Sequence, residues 1–156
     1  LLKDWIKAGG HFHMNGGWFS FGGHQGYGRW GRSSWQKDTS ERVLPVDCLE
    51  TDDLIESTAS FDVRTVDRKH PAVQGIDWST VPPILGFNET RPGKGAKVIA
   101  EIRNGNSWYP LLAERRVGKG RTTCWTSSAS PHWGLNFMKW EHYDQLWSQL
   151  FAPACK

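Results

Sequence analysis

Two glycine pairs bracket five residues near the start of the chain, in "GGHFHMNGG" from Gly9 to Gly17. Leu1, Leu2, Trp5 and Ile6 before them keep helical spacing. Glycine adopts the left-handed conformation that closes a helix at little cost, so Gly9 and Gly10 end that helix. His11 to Asn15 then reads as a short strand, and Gly16 and Gly17 as a sharp turn, with Trp18 opening the next segment. A helix leading directly into a strand of a parallel sheet needs earlier strands to cross over from. The expected architecture is therefore α/β, with the first βα units lying outside this chain.

The rest of the chain supplies a mostly β middle and a closing helix. "RVLPVD", "SFDVRTVD", "PPILGF", "AKVIAEI", "WYPLLAERRV" and "TTCWTSS" read as strands, with a hairpin signal at "RNGNS" and a further turn at "VGKGR". Gly22 to Lys37 is a long loop carrying Tyr27, Trp30 and Trp35. Trp140, Tyr143, Trp147, Leu150 and Phe151 fall on one face of a terminal amphipathic helix. With 156 residues, the length suits one domain, 1–156, with a real core. Ten tryptophans are many for this length. Most belong in the core, and the same residue type serves ligand clefts and subunit interfaces.

Several functions are disfavoured. The net charge is only +3 and the basic residues are scattered, which argues against a nucleic-acid partner. No apolar run approaches the roughly 20 residues of a membrane-spanning helix. Cys48, Cys124 and Cys155 are odd in number, far apart and without a C-x-x-C pair. That favours a reducing, cytoplasmic setting over a disulfide framework. The glycine turn lacks both the dinucleotide fingerprint and the Gly-Lys-Ser/Thr of a phosphate loop, so no cofactor is expected. His11 and His13 share a strand face and are weak metal candidates, a third ligand having to come from His24, His132 or an acid. Packed, hydrogen-bonded histidines are the preferred reading, and no metal is assigned. His70, before Pro71, reads as a structural turn residue.

A strand ending in a tight turn is also the geometry of a nucleophile elbow. At this elbow stand Gly16, Gly17 and Trp18, none of them a nucleophile, and Ser20 comes too late.

The blocks "LLKDWIKAGGHFHMNGGWFSFGG", "VLPVD", "HPAVQGI", "YPLLAERRVGKGRTTCWTSSASPHWG" and "WEHYDQLWSQL" occur in an order that resembles the glutamine amidotransferase-like family, of class I amidotransferase fold. A looser similarity is to ThuA-like proteins. The resemblance implies a flavodoxin-like open sheet, mostly parallel, with an antiparallel hairpin extension and with the N-terminal third of the domain absent. It also implies a cysteine at the elbow and a histidine followed two residues later by an acid. His132 matches that histidine, but Gly134 stands where the acid should be, and the elbow has no thiol. Glutaminase chemistry by a thiolate is therefore not expected.

What remains is a crevice at the carboxyl ends of the strands, where open α/β sheets bind ligands. Its expected lining is Asn15, Gly16, Gly17, Trp18, His24, His132 and Trp133. The first expectation is a binding domain for a small polar ligand or a protein partner. One alternative is a hydrolase or isomerase for a sugar-like substrate, with His132 as general base and the Gly16 and Gly17 amides as an oxyanion site. The other is an assembly protein, packing as a homo-oligomer through exposed tryptophans.

Overall fold

The computed structural model describes residues 1–22, 43–49 and 51–152. His24 and most of the Gly22–Lys37 loop lie outside them. Helix α1 (Leu2–Lys7) leads through Gly9 and Gly10 into strand β1 (His11–Asn15). Then come β2 (Val46–Cys48), β3 (Leu54–Glu56), β4 (Val63–Thr65), β5 (Gly86–Asn88), β6 (Thr90–Pro92), β7 (Lys97–Asn104), β8 (Ser107–Val117) and β9 (Gly120–Trp125). Helix α2 (Tyr143–Phe151) follows. Single 3₁₀ turns occupy Pro71–Val73, Trp78–Thr80 and Phe137–Lys139.

The main sheet has the order β1-β9-β8-β7-β4. Only β1 and β9 run parallel, and the other three pairs are antiparallel. Two ribbons, β2·β6 and β3·β5, are antiparallel as well. The expected flavodoxin-like, mostly parallel α/β sheet is thus corrected to a mixed, strand-rich fold. The reason lies in the connections. Tight turns at Gly105 and Gly118, both with φ near +60°, join β7 to β8 and β8 to β9. Such short links permit only antiparallel neighbours, because a parallel crossover takes a dozen residues or more. The resemblance led to a parallel reading where the hairpin signals already pointed the other way.

The larger core lies between the sheet and α2. There Ile99, Ile102, Leu112, Trp125, Phe137, Leu146 and Leu150 are buried, and Trp125 stacks on Phe137 with ring centroids 4.7 Å apart. A smaller cluster joins Phe21, Leu44, Val46, Ala113 and Cys124. Alternation along β9 separates the two, Cys124 going to the smaller cluster and Trp125 to the larger. No helix among the described residues is long and apolar enough to cross a membrane.

Candidate functional site

The parallel pair puts the ends of β1 and β9 side by side, Asn15 opposite Trp125. The chain leaving β1 turns at once. Gly16 N–H donates to the carbonyls of Trp125 at 2.7 Å and Ser127 at 2.9 Å. A side chain at Gly16 would overlap the Thr126 carbonyl, so only glycine lets the strand end lie against its neighbour. Gly17 N–H donates to Asn88 Oδ1 at 2.9 Å. Both turn amides are therefore engaged inside the protein, and neither is presented as an oxyanion donor.

Asn88, fully buried, clasps this turn. Its Nδ2 donates to the carbonyl of Gly17 at 3.1 Å and to Asp53 Oδ1 at 2.8 Å. Asp53, also buried, accepts from Gly22 N–H at 2.7 Å. The clasp fixes the segment that carries Trp18.

Beyond the turn, four side chains meet. The Trp18 ring packs edge-on against His132, centroids 5.1 Å apart. Trp18 Nε1 and Trp133 Nε1 both donate to Glu56 Oε1, at 3.1 and 2.6 Å. His132 Nε2 lies 3.8 Å from the same oxygen. Trp133 is buried beneath, whereas Trp18, Glu56 and His132 are exposed. A cavity of about 350 Å³ opens beside them, lined by Glu56, Ser57, Thr58, Leu85, His132 and Trp133. His132 has φ +95°, a strained setting for a residue with a Cβ, of the kind that gathers at functional sites.

Glu56 is the residue that sequence reasoning missed. It sits on β3, a three-residue strand with no periodicity to betray it. The available signal was Gly86. Glu56 pairs with Gly86 across the β3·β5 ribbon, and a Cβ at Gly86 would overlap the Trp133 indole. Glycine at that position lets the indole reach the carboxylate.

Other expected site residues go elsewhere. Asn15 and His13 bond to each other, His13 Nε2 to Asn15 Oδ1 at 3.1 Å, and Asn15 does not line the cavity. Thr123 Oγ1 bridges the two strand histidines, 2.8 Å from His11 Nε2 and 2.7 Å from His13 Nδ1. Arg121 Nη2 lies 3.3 Å from His11 Nδ1. Arginine can only donate and the Asn15 oxygen can only accept. The hydrogen bonds therefore run one way: Arg121 to His11, His11 to Thr123, Thr123 to His13, His13 to Asn15. That arrangement is complete only with both imidazoles neutral. Burial lowers both to about 4, and the Arg121 charge adds to the effect at His11. Among the described residues, no group of three or more potential metal ligands forms. Cys124 is buried in β9, where loss of solvent pushes its thiol far up, and Cys48 packs against the same apolar cluster. His70 caps the turn after it, its Nδ1 accepting from Ala72 N–H at 3.2 Å.

This fold recurs in larger enzymes. A β-galactosidase from Bacillus circulans sp. alkalophilus matches with a TM-score of 0.54 at 14% identity, over 99% of this chain and 19% of that one. Two solved structures are nearer in sequence. One is described as cytoplasmic protein STM3548 from Salmonella typhimurium, with a TM-score of 0.84 and 32% identity over 97% of this chain and 57% of that one. The other is cytoplasmic protein STM1381 from Salmonella typhimurium LT2, at 0.83 and 31% over 97% and 58%. The chain thus spans less than two thirds of either relative. No curated protein is similar enough to be matched. The family model described as "Putative glutamine amidotransferase" matches residues 1–153, and the chain belongs to that family. ThuA-like proteins are not among these findings.

Proposed function

We propose that this chain is an amidotransferase-like domain that binds a small polar ligand at the carboxyl end of the β1·β9 pair and does not hydrolyse glutamine. One observation carries the reading: two indoles and an imidazole converge on the single carboxylate of Glu56 beside an open cavity. Aromatic faces with a convergent acceptor suit a ligand that has both C–H faces and hydroxyl donors, as sugar rings have. Acyl transfer lacks its parts here. The elbow has no thiol, the described cysteines are in the apolar cluster, and the turn amides are already bonded. Ser127, a buried hydroxyl just after β9, donates to the Gly86 carbonyl at 2.6 Å. The description of the two Salmonella proteins and the cysteine usage support a cytoplasmic location.

A second reading keeps the site and adds chemistry. The 3.8 Å approach of His132 to Glu56 would suit a general base oriented by a carboxylate, acting on a sugar-like substrate. The test is twofold. Ammonia release from glutamine should not exceed the buffer control. Calorimetric titration with methyl pyranosides should show binding that weakens in Trp18→Ala. Ammonia release abolished by Cys48→Ser or Cys124→Ser would refute the proposal. Turnover of a pyranoside lost in His132→Ala would move the protein to the second reading.

A further inference from the structure

The chain has two Asn-Gly pairs, Asn15-Gly16 and Asn104-Gly105. Such a pair can react with itself. The glycine nitrogen attacks the asparagine carboxamide carbon, and no Cβ on the glycine stands in the way. The fold sets the two pairs in opposite surroundings.

Asn15-Gly16 is held shut. Gly16 N–H donates to the carbonyls of Trp125 at 2.7 Å and Ser127 at 2.9 Å. Asn15 Oδ1 accepts from His13 Nε2 at 3.1 Å. The two groups can meet only if the end of β1 comes away from β9. Asn104-Gly105 is the reverse case. Asn104 ends β7 and pairs with Ser107, which starts β8, across a two-residue link of Gly105 and Asn106. Gly105, Asn106 and Ser107 are exposed, and Asn104 is half-buried. Neither the Asn104 carboxamide nor the Gly105 N–H has a hydrogen-bond partner among the described residues. A Cβ built on Gly105 would meet nothing within 4 Å, so the space around the attacking nitrogen is open. Opening the closing pair of an exposed hairpin costs little and brings the carboxamide into reach. Asn106 is less reactive, because the residue after it, Ser107, carries a side chain and belongs to β8.

We propose that Asn104 is a site of spontaneous deamidation in the folded protein and that Asn15 is protected from it. The Gly105 nitrogen forms a bond to Asn104 Cγ. The Cγ–Nδ2 bond breaks, and ammonia leaves with the proton from the Gly105 N–H. Water then opens the imide to aspartate or isoaspartate at position 104. Isoaspartate adds a carbon to the main chain beside a two-residue link that has no slack, so the hairpin tip loosens. The new carboxylate also lies next in sequence to Arg103, which already pairs with Asp62.

Peptide mapping by mass spectrometry, after incubation of the whole chain at mildly alkaline pH, tests this. The peptide containing Asn104 should gain the mass of an amide turned to an acid. Isoaspartyl methyltransferase with labelled S-adenosylmethionine should then mark the protein, and Asn104→Gln should remove that label. Conversion at Asn15 should be slower by about a hundredfold, as the need to open the clasped strand end implies. In urea the two sites should convert at similar rates. Equal rates at Asn15 and Asn104 in the folded chain would overturn the proposal. So would an unchanged Asn104 in the folded chain over a time in which the unfolded chain converts at both sites.

Discussion

The two ends of the β1·β9 pair are built from the same strands and differ in almost every physical respect. At the carboxyl end, backbone amides are consumed by the clasp, and what faces outward is aromatic and acidic: Trp18, His132 and Glu56. Along the strands between, side-chain hydrogen bonds are consumed by the His11–Thr123–His13 line, and at the amino end what faces outward is basic: Arg116 and Lys119. A parallel pair places both strand starts at one end and both strand ends at the other. Each end then takes its character from the residues that follow or precede the strands. Here one end presents aromatic and acidic side chains and the other basic ones.

The comparison can be broken most severely at the clasp. Asn88→Ala would leave the buried Asp53 carboxylate without its amide donor and free Gly17. A loss of about 3 kcal/mol is expected, because Asp53 Oδ1 and the Gly17 N–H and carbonyl lose a hydrogen-bond partner at once. Urea denaturation would show it, and a loss under about 1 kcal/mol would mean that water replaces the amide freely.

Acid attacks the strand pair between the two ends. His11 and His13 fold with values of about 4, below the ordinary 6.5. Between those limits the unfolded chain binds more protons, so stability falls as the pH drops from about 6.5 to about 4. The half-buried His13 accounts for on the order of 2–3 kcal/mol of this, and the more accessible His11 for less. Glu114 follows. The His70 imidazole 3.8 Å away and the charge of Arg121 hold it at about 2, below the ordinary 4.5, so its contribution is lost as pH falls from about 4.5 towards 2. Denaturation midpoints taken from pH 7.5 to 4 should decline, and His13→Gln should flatten the upper part of the curve. A flat wild-type profile would contradict the neutral hydrogen-bond line.

Smaller effects sharpen the carboxyl end. Gly86→Ala pushes a methyl group into the Trp133 indole and should cost about 1–3 kcal/mol by overpacking. It should also detach Trp133 from Glu56, visible as a red shift in tryptophan emission. His132→Gly removes a positive-φ strain worth about 1 kcal/mol. Its melting temperature should equal or slightly exceed that of the wild type even as ligand binding weakens. A clear drop would show that His132 serves stability rather than the site.

The sequence made part of this legible, and the physics explains which part. The helix–stop–strand–turn order held because Gly9, Gly16 and Gly17 act locally, through φ freedom and close approach. The long hairpin strands β7 and β8 held because each is an apolar-rich run bounded by the turn at "RNGNS". The sheet's mixed direction was readable from the "RNGNS" and "VGKGR" turns, but the family resemblance outweighed them. Strand β2 begins after Pro45, at Val46, in keeping with the missing N–H of proline. The meeting of Trp18 and His132 followed from topology alone. Glu56 and Asp53 did not. They lie near or on a three-residue strand, and their roles depend on partners 31 to 77 residues away. Long-range polar contacts of that kind leave no local periodicity to read.

The central claim is that ligand enters at Glu56, between two indoles that share one of its oxygens. The indole N–H signals of Trp18 and Trp133, followed by ¹⁵N–¹H correlation spectra during titration with a methyl pyranoside, test it directly. Both signals should move together and saturate with one affinity, while those of Trp78 and Trp108 stay in place. Saturable movement of Trp78 or Trp108 with Trp18 and Trp133 unmoved would contradict the account and put the ligand elsewhere.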